Sequence, residues 1–147
     1  MIETKYSKIL VGVDGSKESM NAATHALGLA RKDNAEVICL TALQLQAFYG
    51  WSAIEPPEAS KKKDKLGREE WINNIIKTAK ENNLKIKDEI VESPMSAEGT
   101  IVNFAEKENV DLIVVGTRGR SGFSKKLLGS VALGVVTHAS CPVIVVK

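Results

Sequence analysis

Two glycines three positions apart, Gly116 and Gly119, are followed after nine residues by Gly129-Ser130. Glycine lets the backbone approach a ligand closely and take positive φ, so exposed N–H groups can converge on an anion. A helix opening at Gly129-Ser130 adds unpaired N–H groups and the positive end of its dipole, and Ser130 adds a hydroxyl. Arg118, Arg120, Lys125 and Lys126 make the neighbourhood positive. Such a segment suits one task, the noncovalent cradling of phosphate. The same residues also suit a surface loop in which the glycines only turn the chain and Ser130 is an N-cap. Glycine-rich loops are common, and spacing alone leaves both open.

Other chemistry finds less support. No G-x-x-x-x-G-K-[ST] occurs, which excludes a P-loop, and no G-x-G-x-x-G follows the first strand, which excludes a dinucleotide fingerprint. His25 and His138 have no Ser, Cys or Asp companion at catalytic spacing and read as structural. No Asp, Glu and His cluster stands at ligand spacing, so a metal site built by the protein itself is not expected, and no catalytic residue is assigned. Cys39 and Cys141 are isolated, without Cys-x-x-Cys spacing, and read as reduced thiols serving as small hydrophobes.

The elements that must position the glycine segment follow from periodicity. Apolar runs at Ile9–Val13, Val37–Ala42 and Leu112–Val115 read as strands buried on both faces, Val143–Val146 as a fourth, and the more alternating Leu84–Val91 as a fifth. Between them, helical spacing recurs at Met20, Ala23, Leu27 and Ala30 behind an N-cap at Ser16, at Ile72, Ile75, Ile76 and Ala79, and at Leu128, Val131, Ala132 and Val135. Ile101, Phe104 and Ala105 mark a shorter helix before the polar Glu106–Asn109 stretch. Strict β-α alternation implies an α/β fold: a doubly wound five-stranded parallel sheet of order 3-2-1-4-5 with helices on both faces, in a single domain over 1–147. Ligands of such sheets sit beyond the carboxyl ends of the strands where the winding reverses, here between strands one and four. The turns facing that crevice are Val13-Asp14-Gly15-Ser16 and the segment from Val115 to Gly122.

The bulk composition is ordinary. The 147 residues include 20 basic and 18 acidic side chains, a net charge of +2, which argues against nucleic acid as a partner. No apolar run is long enough to span a bilayer, and Met1–Ser7 lacks the apolar stretch of a secretory signal, so a cytoplasmic protein with no membrane association is expected. The irregular stretch from about Leu43 to Ser60 holds Pro56-Pro57 and the aromatic group Phe48, Tyr49 and Trp51, which reads as self-packing, a lid over a flat ligand, or a subunit contact. The run Lys61–Lys65 reads as a solvated helix start. Val143–Val146 is expected at a sheet edge, and an apolar edge invites pairing with a second copy.

Gly116-x-x-Gly119, nine residues, and Gly129-Ser130 together resemble the G-2x-G-9x-G-[S/T] signature of the ATP-binding branch of the universal stress protein family. The segments Ile9–Ser16, Asp111–Gly116 and Cys141–Val146 are similar to other hallmarks of that family, so the resemblance covers nearly the whole chain. It implies that adenine touches Val13, Ala42 and Val115, and that Asp14 accepts hydrogen bonds from ribose hydroxyls or orients its turn. It implies that Gly116, Arg118 and Gly119, with the amides of Gly129, Ser130 and Val131, hold the phosphates of ATP or AMP, with magnesium carried by the nucleotide. It further implies a homodimer through Val143–Val146. The function expected is a nucleotide-dependent regulatory module of the stress response acting on an unidentified protein partner. The alternatives are a slow ATPase or phosphotransferase using the same site and a structural stress factor. A receiver domain would need a phosphorylatable Asp after strand three, where Val91-Glu92-Ser93-Pro94 offers only Glu92.

Overall fold

The computed structural model describes residue 2 and residues 4–45, 58–117 and 128–147, and for residues 58–66 the backbone alone. Nine elements alternate among the described residues: β1 (Lys8–Gly12), α1 (Lys17–Asp33), β2 (Glu36–Gln44), α2 (Glu58–Glu81), β3 (Ile86–Ser93), α3 (Ala97–Lys107), β4 (Leu112–Gly116), α4 (Ser130–His138) and β5 (Val143–Val146). The five strands form one parallel sheet in the order β3-β2-β1-β4-β5, the topology expected from the alternation.

The continuous apolar runs are explained by burial on both sides. Ile9, Val11, Val37, Cys39, Leu112 and Val114 point to the face covered by α1 and α2. Their neighbours Leu10, Ile38, Leu40, Ile113 and Val115 point to the face covered by α3 and α4. Successive strand side chains alternate between faces, so a run without polar residues is what a doubly covered strand requires. Against the first face α1 lays Ala22, Ala23, Ala26 and Ala30, a stripe small enough for the helix to lie close to the sheet.

The element ends depart from the periodicity in a few places. β3 begins at Ile86 rather than Leu84, because the Leu84 N–H bonds the Ala79 carbonyl at 2.9 Å and Asn83 takes φ 55°, closing α2. β2 runs past Ala42 to Gln44 because β3 pairs with it as far as Ser93. α2 starts at Glu58, so the Lys61–Lys65 run lies within the helix near its start. α3 extends into the polar stretch as far as Lys107. The Phe48–Trp51 aromatics and Pro56-Pro57 lie outside the described residues.

Two serines cap their helices as short hydroxyl side chains do. Ser16 Oγ accepts from the Ser19 N–H at 3.1 Å at the start of α1, as the sequence implies, and Ser96 Oγ accepts from the Gly99 N–H at 3.3 Å at the start of α3. No described helix is long and apolar enough to cross a membrane.

Candidate functional site

The winding reverses between β1 and β4, so the exits of these two strands flank a crevice at the carboxyl end of the sheet. Val11 pairs in register with Val114, and continuing that register sets Val13 level with Gly116. Gly12 pairs with Leu40, which brings Asp14 level with Ala42 at the β2 end. Val13 is buried on the face covered by α1 and α2 and Val115 on the face covered by α3 and α4, while Ala42, Asp14 and Gly116 are half-buried at the strand ends.

The β1–α1 turn is tied down bond by bond. The Val13 N–H donates to the Leu40 carbonyl at 2.9 Å. The Asp14 N–H donates to Ser19 Oγ at 3.2 Å, and that hydroxyl donates to the Ser16 carbonyl at 3.0 Å. Asp14 Oδ1 accepts from the Ser16 N–H at 2.9 Å, an Asx turn, with Gly15 between them at φ 83°. The turn-orienting role of Asp14 is therefore real.

At the β4 exit, Gly116 is not in the positive-φ region that a cradle glycine was expected to use. Its lack of a side chain serves packing: a Cβ there would stand 2.8 Å from both the carbonyl carbon and oxygen of Glu18, in the first turn of α1. The next residue forms a neck. The Thr117 N–H donates to the Val146 carbonyl at 3.0 Å, and the Thr117 carbonyl accepts from the Gly129 N–H at 2.6 Å. Thr117, next to Gly116, is thus joined to Gly129. Arg118 and Gly119 lie within that segment and outside the described residues, as do Arg120, Gly122, Lys125 and Lys126.

This neck corrects two details. The Gly129 amide is engaged by Thr117 and is not offered to a ligand. Gly129, rather than Ser130, occupies the N-cap position of α4, and it has no side chain with which to cap the helix. Helix geometry leaves the first N–H groups without intrahelical partners. The Leu133 N–H makes the first bond, to the Gly129 carbonyl at 3.0 Å, so the amides of Ser130, Val131 and Ala132 have no partner within the helix. Ser130 is exposed and Val131 half-buried there.

A second layer backs the crevice and was not legible beforehand. The indole of Trp71 on α2 lies against Gly15, where a Cβ would meet Nε1 at 2.6 Å. Arg68, one turn earlier, sits over the Trp71 ring at 5.7 Å from its centroid and donates through Nε to Thr41 Oγ1 at 3.2 Å. Its guanidinium also pairs with the Asp88 carboxylate on β3. Positions 68, 71, 72, 75 and 79 share one helical face, which is the signal that could have placed Arg68 and Trp71 toward the sheet.

His25 and His138 each place Nδ1 at 3.0 Å from the carbonyl four residues earlier in their own helices. Both cysteines are free. Burial pushes the Cys39 thiol up to about 12, with Asp88 raising it further and Arg68 lowering it. Burial is also the main reason the half-buried Cys141 thiol is raised. Among the described residues, no three His, Cys, Asp or Glu side chains gather as a metal-binding group.

Comparison with known proteins agrees with this architecture. The sequence profile of the universal stress protein family matches residues 5–147. A universal stress protein of Methanocaldococcus jannaschii is 40% identical over 145 residues, spanning 99% of this chain and 84% of the relative. The structure of the universal stress protein UspA from Lactobacillus plantarum superposes with a TM-score of 0.80 at 24% identity, covering 99% of this chain and 100% of that one. A universal stress protein solved in complex with cAMP superposes with a TM-score of 0.67 at 26% identity, covering 98% of each chain. The chain belongs to the universal stress protein family.

Proposed function

We propose that the crevice binds an adenine nucleotide, ATP or AMP, and that its occupancy regulates a homodimer acting in the stress response. The observation that carries this reading is the Thr117–Gly129 neck, which holds the start of α4, with a glycine as its N-cap, beside the β4 exit. A helix start with open amides favours a phosphate group through both hydrogen bonds and dipole. The similar protein solved with cAMP supports an adenine nucleotide as the class of ligand.

On this reading the base lies against the ends of β1, β2 and β4 at Val13, Ala42 and Val115, whose aliphatic side chains suit its flat apolar faces. Asp14 accepts from ribose hydroxyls while keeping its bond to Ser16. The Ser130 and Val131 amides and the Ser130 hydroxyl take phosphate oxygens, with Arg118 and Gly119 contributing from the segment between. Gly129 serves by having no side chain in the phosphate's place. Magnesium arrives on the phosphates when a triphosphate binds; it neutralises their charge, and the helix start and glycine backbone suit such a complex without carboxylate ligands.

The dimer is assigned to the β5 edge. Val143, Ile144 and Val145 are only half-buried there, and α4, which packs on β5, exposes Leu133 and Val136. An apolar parallel edge beside an apolar helix face suits pairing with its own copy across a two-fold axis.

Gly129→Asp tests the site. Asp is a favoured N-cap, so the variant keeps or gains helix stability, by about a few tenths of a kcal/mol, while its carboxylate occupies the amides that phosphate needs. The expected result is an unchanged or higher melting temperature with ATP affinity reduced by about a hundredfold or more, the cost of at least two charge-assisted hydrogen bonds. Equal calorimetric affinity in both proteins removes the cradle from the proposal.

A further inference from the structure

The β1–α1 turn has an unusual keeper. Gly15 sits at φ 83°, a conformation glycine adopts freely and other residues resist, and it also leaves no room for a Cβ beneath the Trp71 indole. The turn is thus pressed from the α2 side by a rigid, half-buried aromatic ring. That ring is held in turn. Arg68 lies over it, bonds Thr41 next to Ala42 at the β2 end, and pairs with Asp88 on β3. Asp88, Arg68, Trp71 and Gly15 form one chain of contacts, running from the far strand of the sheet to the residue beside Asp14.

We propose that Trp71, steadied by Arg68, is the positioning residue of the Asp14–Ser16 turn and so sets selectivity for ligands carrying ribose hydroxyls; this rests on the adenine-nucleotide reading of the crevice. Glycine at position 15 has wide conformational freedom, and without the indole the turn samples other backbone states. The Asx bond from the Ser16 N–H to Asp14 Oδ1 exists only in the native one, so the direction of the carboxylate depends on the ring that confines its neighbour. Confinement before binding lowers the ordering cost at the moment of binding. The start of α4, where phosphate is proposed to bind, belongs to the helix packed on the opposite face of the sheet from Trp71. Loss of the ring therefore penalises the ribose contact selectively.

The experiment has two independent readouts on wild type, Trp71→Ala and Trp71→Phe. Calorimetry compares ATP with 2′,3′-dideoxy-ATP. Wild type is expected to prefer ATP by about tenfold or more, the scale of one charge-assisted hydrogen bond. Trp71→Ala loses that preference and keeps its affinity for the dideoxy nucleotide, and Trp71→Phe retains most of it. Amide hydrogen exchange, measured without nucleotide, is expected to be faster at Ser16 in Trp71→Ala while the β1 and β4 amides stay protected. Unchanged Ser16 exchange overturns the positioning role, however well nucleotide binds. Equal weakening of both nucleotides also overturns it, assigning Trp71 to the base or to general stability. If wild type binds neither nucleotide, the adenine-nucleotide reading fails and the selectivity claim falls with it, while Ser16 exchange still decides whether the ring confines the turn.

Discussion

At Gly116 a side chain is excluded by the backbone of Glu18 at 2.8 Å, and a backbone cannot swing aside as a side-chain tip can. Gly116→Ala is therefore expected to lower the unfolding free energy by about 1–3 kcal/mol, the usual cost of overpacking, in urea titration. This loss is separate from any effect on ligand. Cys39 illustrates the opposite kind of residue, buried and inert. Its thiol is raised from 9.0 to about 12, so the native state holds that proton more tightly than the unfolded chain does. The resulting stability is complete below about pH 9 and is lost as pH climbs from 9 toward 12, since the unfolded thiol ionises first. Cys39→Ala should remove that component of the alkaline decline in stability. At neutral pH iodoacetamide should leave Cys39 unmodified in the folded protein, read by mass spectrometry, because the thiolate is the reacting form.

The helices differ in how they begin, and the difference has a purpose at only one of them. α1 and α3 spend a serine hydroxyl on their first amides, whereas α4 begins at Gly129 with none. A cap satisfies the same groups that a bound anion needs, so capping α4 from within competes with phosphate. α1 is built for packing, and Gly28 on its exposed side has nothing within 4 Å of a prospective Cβ. Gly28→Ala should raise the unfolding free energy by up to about 1 kcal/mol through helix propensity alone. Its sign is opposite to that at Gly116, in the same titration. Two alanine substitutions at glycine thus separate backbone freedom from steric need.

Over the whole molecule, the sheet is closed on one side by polar β3 and left apolar on the other by β5. β3 exposes Lys87, Asp88, Glu89 and Ile90, a pattern that discourages pairing with another chain. β5 presents Val143, Ile144 and Val145 beside the exposed Leu133 and Val136 of α4. Val145→Lys places a charge on that edge and is expected to convert a dimer into a monomer in sedimentation velocity. A variant that still sediments as a dimer moves the interface elsewhere. β5 and the crevice share a wall, because Gly116 pairs with Val146 and the Thr117 N–H bonds the same residue's carbonyl. On the proposed reading, ligand at the β4 exit and a second copy on β5 would act on adjoining strands, a short path from occupancy to interface.

The sequence alone determined the elements and their order. Runs of Ile, Leu and Val without polar interruption can be satisfied only inside a doubly covered sheet, and right-handed crossovers leave few ways to wind one. It also placed the strand exits and the glycine spacing, because these are local. Tertiary structure decided what each glycine is for. Gly116 answers to Glu18, nearly a hundred positions away, Gly15 to Trp71, and the Gly129 amide to Thr117. The chain's local pattern cannot carry that information, since a glycine reads alike whether the space beside it belongs to a ligand, a helix or a ring. Only packing assigns the space.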